Sequence, residues 1–256
     1  MPQRIVSLVP SQTELLFDLG LDRAIVGRTK FCIHPADKVR SVPPVGGTKT
    51  INSTQLLALR PTLVLANKEE NVREQVAELA RYVPVHVTDV NTVADALAMI
   101  RQVGALVGRA EAAHTLADAI ACSFDGPPDE LGSDIPEKPR PRVAYFIWRK
   151  PWMVAAADTF IDAMLTQAGF RNAFADRSRY PVITEAELSA ARPDLLFLSS
   201  EPYPFKDKHL ADLQAVCPGA RGLLVDGELF SWYGSRLLRS AAYFRTLHQR
   251  LNGENV

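Results

Sequence analysis

Cysteine is scarce, with three residues, Cys32, Cys122 and Cys217, in a chain of 256. An odd number without C-x-x-C spacing excludes a disulfide framework and a zinc ribbon, and reads Cys122 and Cys217 as small core filler. Charge of one sign is not in excess either, since 29 lysines and arginines balance 29 aspartates and glutamates. Nucleic-acid binders carry a basic surplus or stripe, so nucleic acid is not an expected partner. No apolar run approaches the roughly 18 residues of a membrane span, and Met1-Pro2-Gln3-Arg4 enters a strand pattern without a signal-peptide core. As written, the sequence reads as soluble, unexported and cytoplasmic. It also lacks a G-x-S-x-G elbow, a P-loop, an H-E-x-x-H pair and a G-x-G-x-x-G after a strand. The stretch Val45-Gly46-Gly47-Thr48-Lys49-Thr50 has no phosphate-loop spacing and reads as a turn at a cleft rim. The five histidines do not cluster as metal ligands, so no catalytic residue, metal site or covalent cofactor is assigned.

With 47% hydrophobic and 23% charged residues, the composition is that of a globular protein. Its length suits one large domain or two lobes. Ile5 to Val9 reads as a buried strand, followed by Ser11 and Glu14 at capping-box spacing and a helix stopped by Gly20. Ser11 and Thr13 at that helix start are candidate ligand contacts, because ligands of open α/β sheets sit beyond the carboxyl ends of the strands. A helix over Ser53 to Leu59 ends at Arg60-Pro61, and the strand Leu63 to Ala66 runs into Asn67, Lys68, Glu69 and Glu70. A helix through Val76 and Leu79 and an edge-like strand from Val83 to Val87 follow.

Residues 92–124 keep helical period without a proline, a rod of roughly 50 Å that Gly104 and Gly108 weaken. Five prolines then mark a linker over 125–141. Beyond it the plan begins again. At a constant offset of 132, residues 51–69 and 183–201 share seven identities: Ile51/Ile183, Leu56/Leu188, Ala58/Ala190, Arg60/Arg192, Pro61/Pro193, Leu63/Leu195 and Glu69/Glu201. The expected fold is therefore α/β, with two Rossmann-like lobes of mostly parallel sheet joined by a long backbone helix. The lobes are 1–91 and 142–256, with the helix over 92–124 and the linker over 125–141.

All three tryptophans lie in two second-lobe loops, Trp148 and Trp152 in one, Trp232 beside Tyr233 in the other. Aromatic residues at strand ends suit a flat apolar ligand, and Arg236, Arg149 and Lys30 offer positive charge for an anionic edge. His34, two residues after Cys32, sits on a loop expected to follow a strand, where both could meet a transition metal. The repeated Glu69 and Glu201 suit docking of a basic, two-fold partner.

The segments Arg4 to Leu15, Leu59 to Ala66 and Gly169-Phe170-Arg171-Asn172 together resemble the cobalamin and iron-siderophore class of substrate-binding proteins of ABC importers, most nearly its cobalamin-binding branch. The resemblance covers Arg4 to about Leu251. It implies two lobes bridged by one long helix, a ligand in the cleft, little hinge motion, and an acidic residue on each lobe that pairs with transporter arginines. Glu69 or Glu70, and Glu201, match those acidic positions. The expected function is non-enzymatic binding of a cobalamin-like corrinoid or other metal chelate by a monomer, in the periplasm, with an importer permease as partner if the chain is exported. Trp148, Trp152, Trp232 and Tyr233 would line the cleft with Ser11, Thr13, Phe31, His34, Gly47, Asn67 and Arg236. The sequence departs from the family in showing neither signal nor lipobox cysteine, and in having Asn67 where an aromatic wall is expected. An intracellular carrier or enzyme acting on such a chelate, through Cys32 and His34, is the alternative reading. Binding of a bare transition-metal ion is a further one.

Overall fold

The computed structural model describes residues 3–124 and 140–253, which fall into two compact units. In the first, the chain runs β1 (Ile5–Ser7), α1 (Pro10–Asp18), β2 (Ile25–Arg28), α2 (Ala36–Val39), α3 (Ser53–Ala58), β3 (Leu63–Asn67), α4 (Arg73–Leu79), β4 (Val85–Thr88), α5 (Val93–Leu106) and α6 (Ala110–Phe124). The four strands are parallel in the order β2-β1-β3-β4. A parallel sheet is covered on both faces, which is why β1 and β3 are buried along their whole length and read as unbroken apolar runs. Val6, Leu8, Val64 and Ala66 pack with Leu56, Val76 and Leu79 from the flanking helices.

The second unit contains β5 (Arg142–Trp148), β6 (Met153–Val154), α7 (Phe160–Gln167), β7 (Arg171–Asn172), α8 (Glu185–Ala191), β8 (Leu195–Ser199), α9 (Asp207–Val216), β9 (Arg221–Val225), α10 (Glu228–Ser231) and most of α11 (Leu237–Asn252). Here β5, β8 and β9 are parallel, with antiparallel β6 and parallel β7 also paired to β5. Phe146, Val154, Leu196, Leu198 and Leu213 form its core.

The 132-residue repeat extends to hydrogen bonds. The Arg4 guanidinium donates to the Leu59 carbonyl at 2.7 Å, and Arg142, 138 residues beyond Arg4, donates at 3.0 Å to the Ala191 carbonyl, which is 132 residues beyond Leu59. The Arg4 backbone N–H donates to Thr62 Oγ1, and that of Arg142 to Asp194 Oδ2. Arg60 and Arg192, the repeated helix ends, both have positive φ, 47° and 46°. In each unit an arginine at the start of the central strand thus ties down the end of the helix that precedes the neighbouring strand.

Two expectations are corrected. Residues 92–124 form two helices rather than one rod, because Gly108 takes φ +66° and turns the chain between Leu106 and Ala110. Arg101 and Asp118 form an ion pair at 2.7 Å. Seventeen residues of straight helix would place them roughly 25 Å apart, so α6 folds back along α5. The lobe boundaries also shift: Trp232 to Leu238 belong to the first unit, while 91–93 and 122–124 belong to the second. Of the proline-rich linker, residues 125–139 lie outside the described residues.

Candidate functional site

In the first unit the strand order reverses between β1 and β3, so the carboxyl ends of these strands form the switch point where open α/β sheets hold ligands. Ser11 to Glu14 follow β1, and Asn67 to Glu70 end and follow β3. The loop from Thr29 to His34 follows β2, as expected for His34. The segment Trp232 to Leu238 comes to the same edge from the far end of the chain.

Glu14 does not close a capping box with Ser11. The helix starts two residues earlier than that box requires, at Pro10 with Val9 as N-cap and no side-chain cap, since proline is well placed at a position whose N–H has no helical partner. Glu14 instead accepts two hydrogen bonds from Arg236, at 2.7 and 2.8 Å, and both side chains are only 6% exposed. Arg236, expected to face an anionic ligand edge, is therefore committed to a buried bidentate ion pair. Its guanidinium also lies 4.8 Å from the centre of the Trp232 ring, which meets His34 edge-on at 5.4 Å. Tyr233 Oη donates to Glu70 Oε1 at 2.8 Å. Burial, then the charge of Glu70, pushes the phenol well above its ordinary range. Gly234 permits this close approach, because a Cβ there would stand 2.7 Å from the Ser11 carbonyl oxygen.

Three other expected contacts lie beneath this surface. Thr13 is fully buried, and its hydroxyl lies within hydrogen-bond distance of Ser7 Oγ, the Val9 carbonyl and Cys32 Sγ. Ser11 is buried under Gly234. Asn67 is buried and internally bonded: its Oδ1 accepts from the backbone N–H groups of Glu69 and Glu70, and its Nδ2 donates to Thr88. Cys32 is buried between Thr13 and Thr29, and burial raises its thiol above the ordinary value. It is not the accessible soft ligand that its spacing from His34 suggested. Among the described residues no three histidine, cysteine or acidic side chains group to hold a metal ion.

The exposed side chains at this edge are Phe31, 50% exposed, and Ile33, with Lys30 Nζ 5.1 Å from the centre of the Phe31 ring. Gly47 lies against that ring. Glu69 continues the rim, its carbonyl accepting from Lys49 Nζ. Trp232 and Tyr233 belong with these residues, not with the second lobe where the sequence put them.

In the second unit Trp148, at the end of β5, is 41% exposed and meets Tyr203 edge-on at 5.7 Å. Trp152 is half-buried, stacked on Phe205 with Arg149 over its ring, so it supports the surface more than it forms it. Arg149 is ion-paired to Asp212 at 2.7 Å. Glu201 sits after β8, where Glu69 sits after β3. The last strand residue accepts its backbone N–H in both cases, through Asn67 Oδ1 or Ser199 Oγ. The Glu201 carboxylate accepts from Ser231 Oγ at 2.7 Å. The sequence reading missed Tyr203 as a surface aromatic and Glu14 as the partner of Arg236. Position in the repeated loop after Glu201 was a usable signal for Tyr203; nothing local signals a pair 222 residues apart.

Residues 5–217 match the periplasmic binding protein family. The chain belongs to this family. A vitamin B12-binding protein of Pectobacterium carotovorum is 24% identical over 251 residues, spanning 94% of this chain and 86% of the relative. A cobalamin-binding protein of Halobacterium salinarum is 29% identical over 206 residues, 76% of this chain and 53% of the relative. Among solved structures, the periplasmic heme-binding protein BhuT in complex with two hemes superposes with a TM-score of 0.83 at 27% identity, covering 98% of each chain. The resemblance read from the sequence is borne out, as are the two-lobed α/β class and its mostly parallel sheets.

Proposed function

We propose that this periplasmic binding protein captures a flat metal chelate, corrinoid or heme-like, without transforming it, and presents it outside the cytoplasm to an ABC importer. The observation that carries the reading is the exposed aromatic surface at the carboxyl strand ends. Phe31 and Ile33, each about half exposed, share the loop of His34, which meets Trp232 edge-on in the first unit, and Trp148 with Tyr203 stands out from the second. Apolar surface of this kind marks interaction sites, and ligand surfaces pair aromatic walls with a few placed polar groups. The vitamin B12, cobalamin and heme named for the relatives support a chelate of this class.

Phe31 and Trp148 are assigned as ring contacts, with Trp232 and His34 behind Phe31 and Lys30 serving an anionic edge. Glu69, Glu70 and Glu201 are assigned to importer docking, each on a loop whose backbone is pinned by the last residue of a strand. Glu69 is the first-unit carboxylate closest in sequence position to Glu201, two residues past the end of its strand, with its backbone N–H accepted by the last strand residue as in Glu201. Calorimetric titration with cyanocobalamin, heme and a ferric siderophore tests the reading. Micromolar or tighter binding of one of them, about −8 kcal/mol, is expected; silence with all three refutes it.

A further inference from the structure

His209 is 3% exposed and is the third residue of α9. Its Nδ1 accepts the backbone N–H of Lys206 at 3.0 Å, which requires a neutral ring carrying its proton on Nε2. The ring packs at 5.6 Å against Tyr203 and edge-on at 5.7 Å against Phe205. Tyr203 in turn backs the exposed Trp148, and Phe205 stacks on Trp152. One imidazole therefore stands behind Tyr203 and Phe205, and through them behind Trp148 and Trp152, at the end of the loop that begins with Glu201.

We propose that the neutral imidazole of His209 is a positioning residue for ligand capture, holding Tyr203 and Trp148 in place so that the second-unit surface is formed at neutral pH and loosens in acid. This rests on the ligand-binding reading above. Protonation would set an N–H on Nδ1 against the N–H of Lys206 and place a charge in a buried aromatic nest. The charged groups around the ring oppose it: Arg149 from the β5–β6 loop, Lys206 at the helix cap and Lys208 on α9 are cationic. Asp212 is the anion that acts on the ring, and it is ion-paired to Arg149. Burial, then Arg149 and Lys208, holds the imidazole below its ordinary value of 6.5. With the folded value depressed, the unfolded chain binds the proton more readily. The contribution of His209 is thus full above about pH 6.5 and is lost as pH falls toward the folded value.

The test follows the His209 ring and the Trp148 indole N–H by NMR between pH 8 and 5, with cyanocobalamin titrations at the same pH values. Both resonances are expected to shift with one midpoint below 6.5, and cyanocobalamin affinity to fall about tenfold across it, the order of one orphaned buried donor. His209→Asn offers an acceptor that does not titrate; it should retain the affinity measured at pH 7.5 and flatten the Trp148 profile. His209→Ala should weaken binding at every pH. A Trp148 resonance that ignores the His209 titration overturns the proposal, as does a His209→Asn protein with the wild-type profile. If cyanocobalamin does not bind at any pH, the ligand assignment fails while the two resonances still decide the positioning role.

Discussion

Replacing Arg236 by methionine removes the donor side of the Glu14–Arg236 pair and leaves a carboxylate that is 6% exposed without its two hydrogen bonds at 2.7 and 2.8 Å. Methionine fills much of the arginine stem, so the loss is electrostatic more than steric. Stripping one partner from a buried pair costs about 3–5 kcal/mol, because the remaining charge has neither water nor counter-charge. Against a total stability of about 5–15 kcal/mol that is a large fraction. The double replacement Glu14→Leu with Arg236→Met removes both charges, and should recover stability to within about 1 kcal/mol of the wild type, since a desolvated pair roughly breaks even against apolar side chains. Urea unfolding followed by tryptophan fluorescence measures both, with the denaturant slope checked so that the same transition is compared. The double-mutant cycle then isolates the coupling. Because Trp232 rides on the guanidinium, the single variant should also shift the native emission. A cost below about 1 kcal/mol for Arg236→Met, or a double variant as unstable as the single one, would refute the claim that this pair pins residues 232–238 to the first unit.

A Cβ at position 227 would press on Ser199 Oγ and stand 2.7 Å from Glu201 Cγ, so Gly227→Ala should cost about 1–3 kcal/mol of stability in thermal unfolding and displace the Glu201 loop. Arg142→Ala should destabilise more than Arg4→Ala, because the two make equivalent carbonyl bonds but Arg142 is half-buried and Arg4 exposed; urea midpoints give the ranking. Glu187, held at about 2 by the Thr184 backbone N–H and by Arg177, contributes stability that is present above its unfolded value near 4.5. That contribution is lost as pH falls toward 2, so Glu187→Gln should narrow the wild-type decline in melting temperature over that window. Phe31→Ala should leave stability within about 0.5 kcal/mol, since the ring is exposed, yet weaken chelate binding by roughly 0.5–1.5 kcal/mol on calorimetric titration.

Local periodicity carried much of the fold to the surface of the sequence. The gap-free offset of 132 placed Leu63 opposite Leu195, and the two central strands Leu63–Asn67 and Leu195–Ser199 obey that offset at both ends. Repetition was legible because it acts through short-range rules: a helix end at Arg60-Pro61, an apolar run of strand length, a polar residue that catches the N–H two positions on. The single helix over 92–124 was misread for the same reason. Apolar spacing continues through Gly108 in phase, and only the backbone conformation of that glycine and the pairing of Arg101 with Asp118 reveal the reversal.

The candidate site was legible as a set of residue types and not as an arrangement. Aromatic residues near strand ends stood out by position, and Phe31 and Trp148 are exposed, but so is Tyr82, which the sequence did not single out. Their partners were hidden by distance along the chain: Glu14 has a complete local explanation as a helix cap, and no local pattern shows that it is needed 222 residues later by Arg236. A residue with two sufficient explanations, one local and one long-range, will always be assigned the local one from sequence. Here the long-range explanation is the stronger, since an exposed cap contributes about 1 kcal/mol whereas leaving either member of a buried bidentate pair alone costs several times that. The same asymmetry explains Trp232 and Tyr233: the energy that fixes their unit comes from Glu14, Glu70 and the close approach of Ser11 to Gly234, and these three partners lie outside any window around residue 232.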